Sequence, residues 1–331
     1  MSCLSADVDL AKRCCDAATV QRTQRIPKLE DSVRRDVSVV DGGLAGLSAA
    51  IEFADRGHST VVFKAKEVAW EASGRNGGQA LAGLTCDQAT IEARRIWRMT
   101  FEAIALFQER CMRFNIARDW QNGHLSLAVN TRKGRAMRQR QDHAQAEYAF
   151  KMQWIDNVDM PSCIASPCLH SGAFDTTSGD LNALKYSLDH RMLCGGRVIC
   201  STSTPRDRET GMQQRMATTC PQLKNTRIDH SWGGFVDIFM NCEPDFGRLK
   251  PTAGCGNTKG RANVYYLQGF AGHGLALTGL AAKPVAEAID SNARRFGTFS
   301  RIQHFRFRGG KLLRTPALVA GMAHHRLRDM L

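Results

Sequence analysis

A short glycine-rich stretch near the start of the chain has the residue types needed to bind a phosphate group. It follows a β-branched run at residues 37–40 and reads Asp-Gly-Gly-Leu-Ala-Gly over residues 41–46. The pyrophosphate of a dinucleotide binds backbone N–H groups at the start of a helix, where glycines keep side chains out of the way. Gly42, Gly43 and Gly46 are therefore candidate cofactor-binding residues.

Two residues depart from the usual dinucleotide pattern. Asp41 stands where the first glycine is expected, and a carboxylate about 4 Å from a phosphate charge costs roughly 1 to 4 kcal/mol. Lys64 stands where an acid usually accepts hydrogen bonds from ribose hydroxyls, which an ammonium group cannot do. One alternative is that Lys64 binds a 2′-phosphate, as basic residues do in NADP sites. Glu67 would compensate only if its loop shifts, so the sequence predicts impaired dinucleotide binding.

The hydrophobic pattern predicts the elements that position this loop. β-branched runs at residues 37–40 and 59–63 predict two strands. Helix-forming residues from Leu44 to Arg56, closed by Gly57, predict a helix between them. This order is the opening of a Rossmann-type unit. Further along, the pattern predicts helices over residues 87–114, 181–188 and 275–289 and strands over residues 124–129 and 264–267.

Five segments of the chain are similar to signatures of γ-glutamylputrescine oxidoreductase-like flavoproteins, which belong to the D-amino-acid-oxidase-like superfamily. The segments are Ala72 to Gln79, Trp232-Gly233-Gly234 with Val236-Asp237, Pro244 to Arg248, Gln268-Gly269-Phe270 with Gly272-His273-Gly274, and Gly309 to Pro316. The matches run in the family's order from about Ala17 to the last residue. The chain thus resembles a FAD-dependent oxidoreductase of this type.

The resemblance implies an α/β fold with α+β elements. A Rossmann-like FAD-binding domain would be built from both chain ends, residues 36–85 and 255–331, after an irregular lead-in over residues 1–35. A sheet-rich substrate domain would occupy residues 86–254. The helix predicted from Leu181 is interrupted at Asp189, where the family has a further stretch of about 100 residues. We therefore expect an internal deletion near residues 188–189 and a truncated substrate domain.

The resemblance also assigns two segments to the flavin. The loop of Ser73, Arg75, Asn76, Gly77, Gly78 and Gln79 would lie against it, although a plain tight turn would also account for the glycines. Gly272, His273 and Gly274 begin a predicted helix, whose N–H groups and positive dipole end would face the flavin ring. His273 is assigned to flavin binding, with proton transfer as the alternative. Pro284 predicts a kink in that helix, because an interior proline costs about 3 kcal/mol.

The reaction implied by the resemblance is the oxidation of an amine. γ-Glutamylputrescine, or a related amine or amino acid, would pass a hydride to FAD, the imine would hydrolyse, and oxygen would accept the electrons to give peroxide. No side chain is singled out as catalytic, and no metal site is expected. The alternative is a catalytically impaired, non-enzymatic remnant of the family with weak or no FAD binding.

The amino-acid composition limits which kinds of partner and location we expect for the protein. The net charge is +13, yet the basic run from Arg132 to Arg140 has no interleaved aromatic residues, which favours a solvated helix face over a nucleic-acid site. The 12 cysteines are scattered without a C-x-x-C pair and are expected to be reduced and mostly buried. No apolar stretch is long enough to span a membrane, and no leader is apparent, so we expect a cytoplasmic location. The deletion would uncover apolar surface and favour self-association.

Overall fold

The computed structural model describes residues 26–84, 91–116, 120–181, 209–249, 263–305 and 309–330, together with residues 195, 207 and 307. Residues 1–25 of the predicted lead-in and the positions of the predicted deletion lie outside this part of the chain, whereas residues 26–35 of the lead-in are exposed and form neither helix nor strand.

The predicted strand–turn–helix–strand unit is confirmed. Strand β1 spans Val37–Val40, helix α1 spans Leu44–Asp55, and strand β2 spans Thr60–Phe63. The two strands pair in parallel, in register from Val37 opposite Thr60 to Val40 opposite Phe63. Helix α1 ends where the sequence predicts, because Gly57 adopts a φ of +86°, a conformation that favours glycine.

A second, antiparallel sheet is built around one long strand. The strands are β3 (Gln79–Ala80), β4 (Trp120–Ala128), β5 (Gln153–Ile155) and β6 (Ser171–Leu181). Strand β6 pairs with each of the other three. The helical start predicted at Leu181 is wrong, because the ladder with β4 continues to the pair Trp120 and Leu181. The rest of that predicted helix lies outside the described residues.

The remaining elements are mostly helical. They are α2 (Ile91–Arg113), α3 (Thr131–Tyr148), α4 (Met160–Cys163), α5 (Glu209–Thr219), the antiparallel pair β7 (Asp245–Arg248) and β8 (Tyr265–Gln268), α6 (Gly274–Ile289), α7 (Arg294–Ser300) and α8 (Gly310–Met330). Helix α6 continues through the buried Pro284 to Ile289.

Helix α6 is the centre of the main core. It packs against α1 and α2, and it buries Leu277 and Val285 together with Phe53 of α1 and Trp97 of α2. Two ion pairs join α1 to α2 beside this core. Arg110 donates to the buried Glu52 at 2.6 Å, and Arg113 donates to Asp55 at 2.6 Å. The two helices that follow glycine-rich turns, α1 and α6, are therefore held in one packed unit.

The basic run from Arg132 to Arg140 lies on α3, and its four arginines are exposed, as the solvated-face interpretation requires. The expectation of mostly buried cysteines is wrong for the described ones, because Cys111 is buried whereas Cys163 and Cys168 are exposed. Within the described ranges, no helix combines the length and apolar character needed to cross a bilayer.

Candidate cofactor site

The glycine-rich turn between β1 and α1 has the close backbone approach that its sequence predicts. Gly42 and Gly43 are buried, and Gly43 is the N-cap residue of α1. A Cβ atom at Gly46 would lie 2.0 Å from the carbonyl oxygen of Asp41, so only glycine fits there. The three candidate glycines thus bring the start of α1 close to the end of β1.

One N–H group at the start of α1 already has a side-chain partner within the chain. The backbone N–H of Leu44 donates to Ser73 Oγ at 2.9 Å. A Cβ atom built at Gly43 would lie 2.9 Å from the same oxygen and 3.1 Å from Asp41 Oδ2. Oxygen atoms of Asp41 and Ser73 therefore lie where a phosphate oxygen would approach.

The two residues that depart from the dinucleotide pattern contact one another. Lys64 Nζ donates to Asp41 Oδ1 at 2.5 Å and to Glu71 Oε2 at 2.5 Å. Asp41 also adopts a φ of +104°, a strained conformation for a residue other than glycine. The carboxylate that reaches Lys64 besides Asp41 is that of Glu71, not that of Glu67.

This ion-pair cluster changes how Lys64 is interpreted. Burial alone would lower the pKa of Lys64, but the hydrogen bonds to Asp41 and Glu71 outweigh it and raise the pKa. Lys64 is therefore charged, and its charge is matched by two carboxylates. This arrangement disfavours the alternative in which Lys64 binds the 2′-phosphate of NADP, because the cluster has a formal net charge of about −1.

The loop over residues 72–79 is organised by its own polar groups. Asn76 Nδ2 donates to the carbonyl oxygen of Ser73 at 2.9 Å, and Asn76 Oδ1 accepts from the N–H of Gly78 at 2.9 Å. Gly78 adopts a φ of +77° and is buried, whereas Gly77 and Gln79 are exposed. Asn76 thus fixes the loop that the resemblance assigns to the flavin.

Arg75 connects this loop to a distant family segment. Its side chain is buried, its carbonyl oxygen accepts from Trp232 Nε1 at 3.3 Å, and its guanidinium donates to the carbonyl oxygen of Gly233 at 3.5 Å. The segments at residues 72–79 and 232–234 are therefore in contact, as expected if both belong to one site.

The start of α6 lies close to the same loop. Ala80, which follows Gln79 in β3, and Ala276 of α6 belong to one buried apolar cluster. Gly272 adopts a φ of +88°, and Gly274 is the first residue of α6. His273 is the N-cap residue, but its side chain makes no capping hydrogen bond. Neither N-cap residue, Gly43 at α1 or His273 at α6, caps its helix with a side chain in the described part of the chain, so the two starts differ in the acceptor that Ser73 provides at α1.

His273 is the most buried polar side chain of the candidate set. It is 8% exposed, and its Nδ1 atom has no hydrogen-bond partner among the described residues. Burial lowers the pKa of His273, and the nearby His124 lowers it further. The imidazole is therefore neutral near pH 7 and offers one polar atom for a ligand at the start of α6.

Sequence reasoning missed two residues near His273. Asp180 of β6 lies opposite Gln79 of β3 and Gln121 of β4, and its Oδ1 atom is buried with no hydrogen-bond partner in the described part of the chain. Burial raises the pKa of Asp180, and His124 opposes this shift. His124 follows a register irregularity in β4. Strand β6 pairs with both β3 and β4, and β3 contacts α6, so Asp180 and His124 lie on strands beside this helix.

The two ends of the site differ in how well they suit a flavin dinucleotide. The start of α6 and the loop over residues 72–79 offer open backbone donors, tight glycine turns and a buried imidazole. The start of α1 instead has a serine oxygen and a carboxylate in the place of a phosphate. The residues at the start of α6 and in the loop over residues 72–79, here called the flavin end, fit the flavin ring of FAD. The residues at the start of α1, here called the pyrophosphate end, do not fit its pyrophosphate.

A parallel β–α–β unit with a glycine-rich turn is the fold of dinucleotide-binding α/β proteins. Within that class, the chain belongs to the FAD dependent oxidoreductase family, whose sequence profile matches residues 36–188 and 187–288.

Comparison with individual proteins agrees with this family. γ-Glutamylputrescine oxidoreductase of Escherichia coli strain K12 is 24% identical over 426 aligned positions, which cover 95% of this chain and 97% of that protein. The probable oxidoreductase OrdL of Haemophilus influenzae is 24% identical over 417 positions, with 92% and 94% covered. The structure of glycine oxidase from Geobacillus kaustophilus superposes with a TM-score of 0.61 at 13% identity, covering 83% of this chain and 100% of that one. The predicted fold class is confirmed.

The alignment also bears on the predicted deletion. The 426 positions aligned with the E. coli protein exceed the 331 residues of this chain by 95, so at least that many of its residues have no counterpart here. The two stretches matched by the family profile meet at residues 187–188. The deletion near residues 188–189 stays a prediction.

Proposed function

We propose that the chain is a FAD-dependent oxidoreductase that oxidises an amine, with γ-glutamylputrescine or a related amine or amino acid as substrate. The observation that supports this most strongly is the start of α6, where uncapped backbone N–H groups and the buried Nδ1 atom of His273 lie beside the loop over residues 72–79. When bound, FAD supplies the chemistry by accepting a hydride from the carbon next to the amine nitrogen and passing the electrons to oxygen.

The chain's own residues have separate tasks in this proposal. Backbone N–H groups at the start of α6 stabilise negative charge on the flavin ring. His273 binds the ring edge as a neutral imidazole. Asn76 keeps the loop over residues 72–79 in shape through its hydrogen bonds to Ser73 and Gly78.

Asp180 is the residue that we assign to the substrate amine. A carboxylate oxygen that is buried without a hydrogen-bond partner suits an incoming ammonium group, and its raised pKa suits it to receive a proton. Removal of that proton leaves the neutral amine from which a hydride can depart. His124 lies near enough to modulate the charge of Asp180.

A second candidate function is favoured by the other end of the site. The Asp41, Lys64 and Glu71 cluster and the 95 or more unmatched positions both favour a catalytically impaired remnant with weak FAD binding. The two candidates differ in whether the protein, once supplied with FAD, is reduced by an amine.

The test is anaerobic reduction of the protein after it has been reconstituted with excess FAD. Under the first candidate, γ-glutamylputrescine bleaches the flavin absorption band, and putrescine without the γ-glutamyl group serves as the matched comparison. Air should then restore the band and generate peroxide. Binding of FAD without bleaching by γ-glutamylputrescine, putrescine or any amino acid would favour the remnant.

A further inference from the structure

The anion site at the start of α1 is filled by groups of the chain itself. Ser73 Oγ accepts the N–H of Leu44 at 2.9 Å, and Asp41 Oδ2 lies 3.1 Å from where a Cβ atom of Gly43 would be. These two oxygens take the place that phosphate oxygens take at a helix start. An incoming pyrophosphate therefore competes with them.

Lys64 holds Asp41 in this place. Its ammonium group contacts Asp41 at 2.5 Å, and its aliphatic carbons lie 3.4 Å from where a Cβ atom of Gly42 would be. The side chain of Lys64 is 13% exposed, whereas those of Asp41 and Glu71 are 56% and 50% exposed. The positive charge thus lies inward and the two negative charges face the solvent from which a ligand arrives.

We infer that Asp41 is an internal competitor for the pyrophosphate of FAD, kept in position by Lys64, so that the two departures from the dinucleotide pattern act as one unit. A bound pyrophosphate has to displace the Asp41 carboxylate and meets the unmatched negative charge of the cluster. This inference rests on the proposed function, because that proposal makes FAD the ligand whose pyrophosphate Asp41 opposes. It predicts that the charge of Asp41, rather than a lack of glycine at that position, limits affinity.

The test uses Asp41→Asn, which removes the charge, keeps the shape and tolerates the positive φ. Binding of FAD, of ADP and of riboflavin is measured by titration of the apo-protein. We expect Asp41→Asn to bind FAD and ADP roughly tenfold more tightly, as loss of one nearby like charge allows, with riboflavin affinity unchanged. Asp142→Asn is the matched control, because it removes a carboxylate from a distant ion pair with Arg138 on α3.

Lys64→Met tests the ion pair of Asp41 and Lys64 by removing its positive charge. Without Lys64, the Asp41 and Glu71 carboxylates lose the cation that offsets their charge. We expect this added repulsion of phosphate to outweigh the release of Asp41, so FAD and ADP should bind several-fold more weakly and the apo-protein should melt at a lower temperature. In the Asp41→Asn background, the same lysine substitution should weaken ADP binding by a much smaller factor, because the competing charge is already gone.

The outcomes separate this inference from the proposed function. An unchanged ADP affinity in Asp41→Asn, or equal effects of Lys64→Met in the two backgrounds, would overturn the inference whether or not riboflavin binds. Tighter ADP binding by Asp41→Asn with no binding of riboflavin would support the inference and count against a flavin function.

Discussion

The starts of α1 and α6 are two helix ends in one packed unit, and they differ in whether a described side chain accepts one of their N–H groups. At α1, Ser73 accepts the N–H of Leu44 and Asp41 lies beside Gly43. At α6, the N-cap residue His273 makes no side-chain capping bond. Both ends follow glycine-rich turns, yet among the described residues a side chain accepts a helix-start N–H only at α1, where Ser73 bonds Leu44. A glycine-rich turn thus creates room for an anion, but the surrounding side chains decide whether that room is open.

The largest difference between the two ends should appear on substitution of a glycine. Gly46→Ala places a Cβ atom 2.0 Å from the Asp41 carbonyl oxygen, so we expect it to destabilise the protein by about 2 to 4 kcal/mol. The matched change Gly274→Ala meets its nearest atom, Cβ of Phe270, at 3.7 Å and should be close to neutral. Urea denaturation of both variants is the measurement. Equal losses of stability would contradict the packing described for α1.

The flavin end should also be the end that determines turnover. Asp180→Asn removes the carboxylate assigned to the substrate ammonium and to its proton, so we expect kcat/KM for the amine to fall about tenfold to a hundredfold, with KM raised. FAD affinity should fall much less than the catalytic efficiency, because Asp180 is assigned to the substrate, although β6 pairs with β3 beside the loop over residues 72–79. Steady-state kinetics of FAD-loaded protein, with Asp142→Asn as the control, measures this. A variant with normal KM but weakened FAD binding would place Asp180 at the cofactor instead.

A smaller effect is expected on the pH dependence of the protein's thermal stability, through protonation of His273 at the start of α6. The pKa of His273 is lowered in the folded protein, so the unfolded chain binds a proton there more readily. The neutral His273 side chain therefore makes its full contribution to the stability of the folded protein above about pH 6.5. This contribution is lost as the pH falls towards the pKa that His273 has in the folded protein. Wild-type apo-protein should lose roughly 2 to 4 °C more in Tm than His273→Gln between about pH 7.5 and pH 5.5. Parallel losses in both proteins would show that His273 is not the group responsible.

Local patterns predicted the β–α–β unit well and the contacts between distant residues poorly. The unit from Val37 to Phe63 is confirmed because β-branched runs, a helical stretch and Gly57 determine it within a few turns of chain. Leu181 was predicted to begin a helix, since local composition does not reveal that Trp120 pairs with it in a ladder. Pairing between strands so far apart in sequence depends on the folded chain.

The same limit applies to the site. Asp41 and Lys64 appear in the sequence as two independent defects, each judged against a ligand. The structure makes them partners of each other, together with Glu71. Asp180 and His124 carry no motif, and only the sheet and α6 bring them near His273.

The packing of α6 against α1 has a consequence for synthesis on the ribosome. The apolar face of α1, with the buried Phe53, is covered by α6, which begins at Gly274, more than two hundred residues later in the chain. At about 5 to 20 residues per second, that face waits roughly 10 to 50 seconds for its partner. During this interval the β–α–β unit is a nascent segment with an uncovered hydrophobic surface, which is the kind of surface that favours aggregation until α6 has emerged.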